Sequence, residues 1–163
     1  MADRIAILNA GRIAQIGAPE EIYNRPVSPF VASFMGASNI LPLRRTSNGM
    51  GFGAGAHGDT VAIDASRLPN SRGAAALDAH FRSEDARLCG PEAAAAGCIV
   101  LRGEIVQCTY PGGFYRYAVR VGPQQYLVDD SRRLAVGDPI GVALPLSALH
   151  LYPATETAES EHG

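Results

Sequence analysis

Apolar and polar residues alternate along much of this chain with the period of two that a half-buried β-strand requires. The first example is residues 4–17, where two short β-prone runs flank Asn9-Ala10-Gly11. Asn and Gly in such a short connection favour the positive φ angles of a tight turn. The pattern therefore predicts a β-hairpin over residues 4–17.

Two short helices are predicted directly after the hairpin. Pro19 suits the first helical position, and Pro26 ends that helix. Ser28 is predicted to cap a second helix, and Gly36 to follow its last turn. The apolar residues of this second helix recur at helical spacing and predict a packed face; they are Phe30, Val31, Phe34 and Met35.

From residue 39 onward, the pattern predicts strands that are joined by loops. Short strands are predicted at residues 39–43, 60–64 and 79–82. Pro42 cannot donate a hydrogen bond, which predicts an edge position for the first of these strands. Loops are predicted at residues 49–59, 65–77 and 89–97, and the polar tail, residues 154–163, is predicted to be disordered.

The longest β segment covers residues 98–121 and contains a change of phase. Ile99 and Leu101 share one face, whereas Val106 and Cys108 are in the opposite phase. One extra residue must be inserted to keep a single face in the core, and Gly103 is predicted to provide this β-bulge. Later strands are predicted from the alternation around Tyr115–Val121, Tyr126–Val128 and Ile140–Leu146. Many short strands with Gly and Pro turns favour a small barrel or sandwich, and a bulged strand favours the barrel.

Composition narrows the chemistry that this fold can carry. All 14 basic residues are Arg, which excludes a phosphate-loop lysine, a Schiff-base lysine and a Ser–Lys pair. The formal net charge of −2 argues against a nucleic-acid-binding arm or a polybasic membrane anchor. No apolar run reaches the ~20 residues of a membrane span, and no signal peptide is visible.

The Cys and His residues do not follow the spacing of a metal site. Cys89, Cys98 and Cys108 are odd in number and contain no C-x-x-C pair, which predicts reduced structural thiols. The four His residues are scattered and form no H-E-x-x-H motif. The sequence therefore predicts neither a metal ion nor a cofactor.

A long, ordered series of short motifs occupies residues 2–36. It consists of Ala2-Asp3-Arg4-Ile5-Ala6-Ile7-Leu8, Gly11-Arg12-Ile13, Gln15-Ile16-Gly17, Pro19-Glu20-Glu21-Ile22-Tyr23, Pro26, Phe30-Val31-Ala32 and Phe34-Met35-Gly36. This series resembles the last part of the nucleotide-binding domain of bacterial ABC-importer ATPases. The polyamine, ferric-iron and maltose branches of that family are the ones it is most similar to.

The remainder of the chain resembles the C-terminal TOBE domain of the same subunits, a barrel related to the OB-fold. The resemblance is carried by Ser38-Asn39-Ile40-Leu41, by the segment Phe81–Leu88, by Gly103-Glu104-Ile105-Val106 and by Leu149-His150-Leu151-Tyr152. In the second of these, Ser83 replaces the Pro of the family's Arg-Pro-Glu-Asp motif. The expected fold is mainly β: an OB-like TOBE barrel with an N-terminal β-hairpin and two short helices. The expected domains are the ATPase-domain remnant at 1–37, the barrel at 38–153 and the tail at 154–163.

The function implied by the resemblance is set by what this sequence lacks. It has no phosphate loop, signature motif, acidic catalytic strand or switch histidine, and His57 lies in the Gly-rich loop of the barrel part. ATP hydrolysis needs a phosphate cradle, a Mg²⁺ site and a positioned water. We therefore expect no catalytic residues, and expect a regulatory and dimerisation domain that supports ATP-driven uptake of a solute. The first expectation is a solute of the polyamine class, and sugars or other organic solutes are the alternatives.

The resemblance also implies the partners and the location of the protein. The expected partners are a second copy in a homodimer, permease subunits reached through the parent subunit, and a small-molecule or protein regulator, with no nucleic acid. The expected location is cytoplasmic, peripheral to the inner membrane. Whether Met1 is a native start or an internal Met of a longer chain stays open.

Two other classes of function have candidate residues. A stand-alone module that binds an oxyanion would use arginines, for which the candidates are Arg82, Arg87, Arg116, Arg120, Arg132 and Arg133. The plainer interpretation is a solvated charged face, with Arg116 and Arg120 pointing outward and Asp129-Asp130 capping a turn. Binding of single-stranded nucleic acid would use Tyr110, Phe114, Tyr115, Tyr117 and Tyr126, but the acidic balance and the absence of Lys disfavour it.

The N-terminal segment predicts a surface of its own. Its partner in the resembling family, the rest of the ATPase domain, is not in this sequence. We expect the segment to fold onto the barrel or to mediate self-association. The candidate self-association residues are Ile5, Ile7, Ile13, Ile16, Phe30, Val31 and Phe34.

Overall fold

The computed structural model describes residues 3–46 and 74–154, together with the backbone of residues 52–53 and 60–61. The predicted strand residues 62–64, most of the two loops before residue 74 and the tail from residue 155 lie outside the described residues.

The chain opens with the predicted β-hairpin, formed by β1 (Ile5–Asn9) and β2 (Arg12–Gly17). Ala10 and Gly11 form its turn with φ angles of +48° and +77°, as a two-residue turn of this type requires. The pairing register shifts after Ile7, which leaves one extra residue, Ala14, in β2.

Two short helices follow, as predicted. They pack on one face of the hairpin. They are α1 (Pro19–Asn24) and α2 (Pro29–Phe34). The Ser28 hydroxyl accepts a hydrogen bond from the Val31 N–H at 3.3 Å, which caps α2. Ile22 and Val31 pack with Ile7 of β1 into a small core. The hairpin and helices therefore form one unit, called the N-terminal segment below (residues 4–36).

The rest of the described chain forms two five-stranded antiparallel sheets. The first has the order β12-β6-β3-β4-β5 and the second the order β10-β9-β8-β11-β7. The strands are β3 (Asn39–Arg45), β4 (Phe52–Gly53), β5 (Thr60–Val61), β6 (Ala76–Phe81), β7 (Arg87–Cys89), β8 (Cys98–Thr109), β9 (Tyr115–Val121), β10 (Gln124–Asp130), β11 (Pro139–Pro145) and β12 (His150–Pro153). A 3₁₀ turn at Leu146–Ala148 precedes β12. The predicted fold class, mainly β with a hairpin and two short helices, is confirmed.

Both sheets contribute side chains to one hydrophobic core. Its largest fully buried residues include Leu43, Phe81, Leu101 and Tyr117, with contributions from both sheets. The alternation that predicted β9 holds, because Tyr117, Val119 and Val121 point into this core. These ten strands with their shared core are called the barrel below.

Several predicted boundaries are wrong. β3 lies between β6 and β4, so it is not an edge strand; Pro42 is accommodated because β4 pairs only with Arg44 and Arg45. β4 lies within the predicted glycine-rich loop, and β6 begins at Ala76, inside the second predicted loop. β7 was not predicted at all, because three residues carry too little alternation to mark a strand.

The predicted β-bulge in β8 exists, but it is not at Gly103. The register of β8 against β9 shifts between Ile105 and Gln107, so Val106 is the extra residue. Ile105 therefore stays in the core phase with Ile99 and Leu101, and the phase changes after it. Gly103 serves a different purpose: a Cβ there would collide with the Arg120 carbonyl oxygen of β9. Glycine is required at position 103 because the backbones of β8 and β9 approach each other closely there.

We predict that Gly103→Ala destabilises the protein, because the added methyl would push β8 away from β9. The expected loss is about 1–3 kcal/mol in the free energy of unfolding, measured by urea denaturation. Gly90→Ala is the matched control, since a Cβ at Gly90 meets no atom within 4 Å. Equal stability of the two variants would contradict the prediction.

Candidate functional site

The outer face of the hairpin carries exposed apolar side chains. Side chains alternate along each strand, so the residues that do not face the helices point to solvent. Ala6 pairs with Ile16 and Leu8 pairs with Ile13 across the two strands. Leu8, Ile13 and Ile16 are 61%, 62% and 51% exposed. These four residues, Ala6, Leu8, Ile13 and Ile16, are called the hairpin face below.

Helix α2 exposes two aromatic rings. Phe30 and Phe34 lie one turn apart, and their stacked ring centroids are 6.2 Å from each other. Phe34 is 66% exposed and Phe30 38%. The N-terminal segment thus exposes large apolar side chains on both its hairpin and its second helix.

Two of the predicted self-association residues are wrong. Ile7 and Val31 are buried beneath the helices, where they form the small core with Ile22, and Ile5 packs partly buried against it. The physical reason is the alternation in β1, which sends Ile5 and Ile7 inward and Leu8 outward. Leu8 was missed, although it is the cross-strand partner of the predicted Ile13. The extra residue Ala14 concealed this pairing, because it breaks the simple register of the hairpin.

Arg82, one of the candidate anion ligands, is instead part of the packing between the N-terminal segment and the barrel. Its side chain is only 4% exposed. Its Nε donates to the Met35 carbonyl at 3.0 Å, and its Nη2 donates to the Tyr23 carbonyl at 2.8 Å. The guanidinium also stacks 3.6 Å above the ring of Tyr23. These contacts place the N-terminal segment on the barrel, as expected, and leave Arg82 inaccessible to an anion.

Arg116 is held by a carboxylate. Its Nε and Nη2 donate to the two carboxylate oxygens of Asp129 at 2.8 and 2.9 Å, a bidentate ion pair. The Ser83 hydroxyl donates to the same carboxylate at 2.8 Å. Burial acts to raise the pKa of Asp129, but these hydrogen bonds and the guanidinium charge outweigh it, and the pKa is lowered. The prediction that Asp129 caps a turn is therefore wrong.

Arg120 and Arg132 are also paired. Arg120 contacts Glu104 at 3.2 Å, and Arg132 contacts Asp130 at 2.7 Å and the Leu88 carbonyl at 2.8 Å. Asp130 does cap the predicted turn, because its Oδ1 accepts from the Arg132 N–H at 2.8 Å. Hydrogen bonds from Arg132 lower the pKa of Asp130. The last two candidates, Arg87 and Arg133, are exposed on separate elements.

A shallow groove of about 510 Å³ lies beside this region and carries both charges. Arg102 and Arg120 line it together with Glu92 and Glu104. Because Arg120 already contacts Glu104, the groove does not present a convergent set of cations. Its chemistry does not favour an anion over a cation.

The aromatic candidates are divided between the core and the surface. Tyr117 is buried, and its hydroxyl donates to the Arg132 carbonyl at 2.7 Å and accepts from the Leu134 N–H at 2.8 Å. Burial raises the pKa of Tyr126 to about 12. Tyr110 and Tyr115 are in ring contact, with centroids 5.0 Å apart. Two of the five rings thus have no free face for a base to stack on.

Within residues 3–46 and 74–154, no three His, Cys, Asp or Glu side chains form a group that could hold a metal ion. None of the helices in the same residues is long and apolar enough to cross a membrane.

Comparison with known proteins identifies the barrel. The TOBE domain family matches residues 81–151. In the structural comparison, the cytoplasmic molybdate-binding protein ModG aligns with 69% of this chain and 94% of its own, with a TM-score of 0.50 and 11% identity. This likeness confirms the OB-like barrel fold.

Comparison with curated proteins places the whole chain within longer relatives. The sn-glycerol-3-phosphate import ATP-binding protein of Rhizobium johnstonii is 30% identical over 154 residues, which cover 94% of this chain and 41% of the relative. The spermidine/putrescine import ATP-binding protein of Acidothermus cellulolyticus is 36% identical over 130 residues, 78% of this chain and 33% of the relative. The sulfate/thiosulfate import ATP-binding protein of Xylella fastidiosa is 45% identical over 85 residues, 52% of this chain and 22% of the relative. The chain spans less than half the length of these relatives, and it belongs to the ABC-importer ATP-binding subunits as a TOBE-domain chain that matches their C-terminal region.

Proposed function

We propose that this chain is the regulatory and dimerisation part of an ABC-importer ATP-binding subunit and performs no nucleotide chemistry itself. The match to the Rhizobium johnstonii relative supports this, because it runs through 94% of the chain and so includes both the N-terminal segment and the barrel. In this proposal residues 1–37 complete the ATPase domain and residues 38–153 form the TOBE barrel. The subunit would act as a homodimer in the cytoplasm, bound to permease subunits at the inner membrane.

The observation that carries the proposal is the uncovered hairpin face. A two-stranded hairpin is marginally stable alone and needs packing on its surfaces. One surface is covered by α1 and α2, whereas Leu8, Ile13 and Ile16 on the other are more than half exposed. The barrel, in contrast, encloses its own core. We propose that the preceding part of an ATPase domain covers the hairpin face in the parent subunit.

The first test is the DNA sequence upstream of the Met1 codon. We expect an open reading frame that continues in frame and encodes a phosphate loop. A stop codon close upstream would contradict the proposal and would make the chain a free-standing barrel.

The second test measures self-association of the chain itself. Without an ATPase domain, we expect the hairpin face to be covered by a second copy, because contact between two such faces removes apolar surface from water. Sedimentation equilibrium should show a dimer. The double variant Leu8→Gln/Ile13→Gln should weaken dimerisation by about tenfold or more, since each lost contact is worth on the order of 1 kcal/mol.

Val136→Gln is the matched control for this test. Val136 is 58% exposed but lies in the loop between β10 and β11, away from the hairpin, so its replacement should leave the dimer constant unchanged. A double variant that dimerises like the control, or a monomeric wild type, would contradict the role of the hairpin face. Circular dichroism would verify that each variant keeps its β structure.

The polyamine class of solute remains a prediction. The relatives named above are designated for glycerol phosphate, spermidine or putrescine, and sulfate or thiosulfate, which differ in charge and size. Similarity to this chain therefore does not follow solute chemistry. We propose that the solute is selected elsewhere in the transporter and that the barrel serves the subunit in regulation.

The rival function is a small-molecule module that binds an oxyanion. The barrel fold that it shares with a molybdate-binding protein supports this rival, whereas the internal pairing of Arg82, Arg116 and Arg132 opposes it. We predict that millimolar molybdate or sulfate leaves the thermal midpoint unchanged, because a ligand raises it only by binding the folded state. A rise with molybdate that Arg87→Gln or Arg133→Gln removes would favour the rival.

A further inference from the structure

The contact between the barrel and the N-terminal segment contains a buried arginine, whose N–H groups need hydrogen-bond acceptors. Arg82 follows β6 and points away from the barrel core to the ends of both helices. It bonds the Tyr23 carbonyl in α1 and the Met35 carbonyl just after α2. A guanidinium only donates hydrogen bonds, so each of its partners must present an acceptor.

His150 is one of these partners, and its protonation state is therefore constrained. The Nε2 of His150 lies 3.4 Å from the Nη1 of Arg82. Because Arg82 cannot accept, Nε2 must carry a lone pair, which requires neutral His150 with its proton on Nδ1. A second proton, on Nε2, would make the imidazole a cation and would place it against the positively charged guanidinium.

The position of His150 allows protons to reach it. The side chain is half-buried at the start of β12 and borders a cleft of about 280 Å³ between the end of α1 and the 3₁₀ turn. Arg25 and Asn24 form the opposite wall of this cleft. Arg25 brings a second positive group to the same cleft, and the carboxylate of Asp85 lies 3.8 Å from Arg82.

We propose that Arg82 and His150 form a proton-sensitive latch, which holds α1 and α2 against the barrel while His150 is neutral and loosens when it is protonated. The latch consists of residues that the structure describes, and it does not rest on the proposed function. Its effect would be to make the position of the N-terminal segment on the barrel depend on whether the imidazole of His150 carries one proton or two.

The other titratable groups around the latch make contacts of their own. His80, the cross-strand neighbour of His150, donates from Nδ1 to the Ala37 carbonyl, and burial lowers its pKa. Asp78, a further strand neighbour, acts on His80 in the opposite sense. Burial raises the pKa of Tyr152 to about 12, so its hydroxyl continues to donate to the Pro26 carbonyl at 2.8 Å.

Two carboxylates complete this set. Burial raises the pKa of Asp85, although Arg82 opposes that shift. Glu84 accepts a hydrogen bond from the Tyr23 hydroxyl at 3.5 Å. Both groups belong to the turn after β6, so either could add an acid response of its own, and the test must separate them from His150.

Amide hydrogen exchange followed by mass spectrometry tests the latch directly. After correction for the intrinsic effect of pH, peptides from residues 19–35 should exchange about tenfold faster at pH 5.5 than at pH 7.5, while peptides from β9 should not change. His150→Gln keeps an acceptor that does not titrate, so in this variant the change with pH should fall below about twofold.

Two further variants make the test specific. Asp85→Asn should respond to pH as the wild type does, because the latch assigns the response to the imidazole. Arg82→Gln should show fast exchange of residues 19–35 at both pH values. The proposal is overturned if wild-type exchange is independent of pH, if His150→Gln retains the full response, or if Asp85→Asn abolishes it.

Discussion

The guanidinium of Arg82 is buried, and the surrounding structure must supply hydrogen-bond acceptors for it. A buried charge is costly unless hydrogen bonds surround it. Here the acceptors are the carbonyls of Tyr23 and Met35, which lie at the ends of two helices that would otherwise leave these groups unpaired. One arginine side chain from the barrel thus supplies the hydrogen-bond donors for both helix ends of the N-terminal segment. The Tyr152 hydroxyl on the Pro26 carbonyl adds a second attachment close by.

In the barrel, the long strand β8 must keep apolar side chains facing the core along its whole length. β8 does so with one extra residue at Val106, and it approaches β9 so closely at Gly103 that no side chain fits. Tyr117 of β9 then fixes the loop after β10 through two hydrogen bonds to the backbone of Arg132 and Leu134. Every buried side-chain nitrogen or oxygen atom of the described residues has a hydrogen-bond partner, as a stable core requires.

These conditions bear on function through the residues that remain for a partner. Ion pairs and hydrogen bonds within the chain occupy four of the six arginines that could have framed an anion, namely Arg82, Arg116, Arg120 and Arg132. The apolar residues of the hairpin face are different, since none of the described residues covers them. The molecule therefore offers a hydrophobic contact surface more readily than an anion site. This agrees with a module that works by docking within a larger subunit, and the length of the relatives points the same way.

The sequence by itself determined the local elements: the hairpin with its turn at Ala10 and Gly11, both helices with the Ser28 cap of α2, and the alternation of β9 and β10. These are predictable because a turn, a cap or a face of a strand depends on residues close together in the chain. Tertiary structure decided the rest. It placed the bulge at Val106, added the three-residue strand β7 beside β11, and buried Ile7 and Val31 in the same small core. It also brought His150 to Arg82, 68 residues away along the chain. Such pairings depend on which distant surfaces meet, and periodicity within one segment carries no record of that.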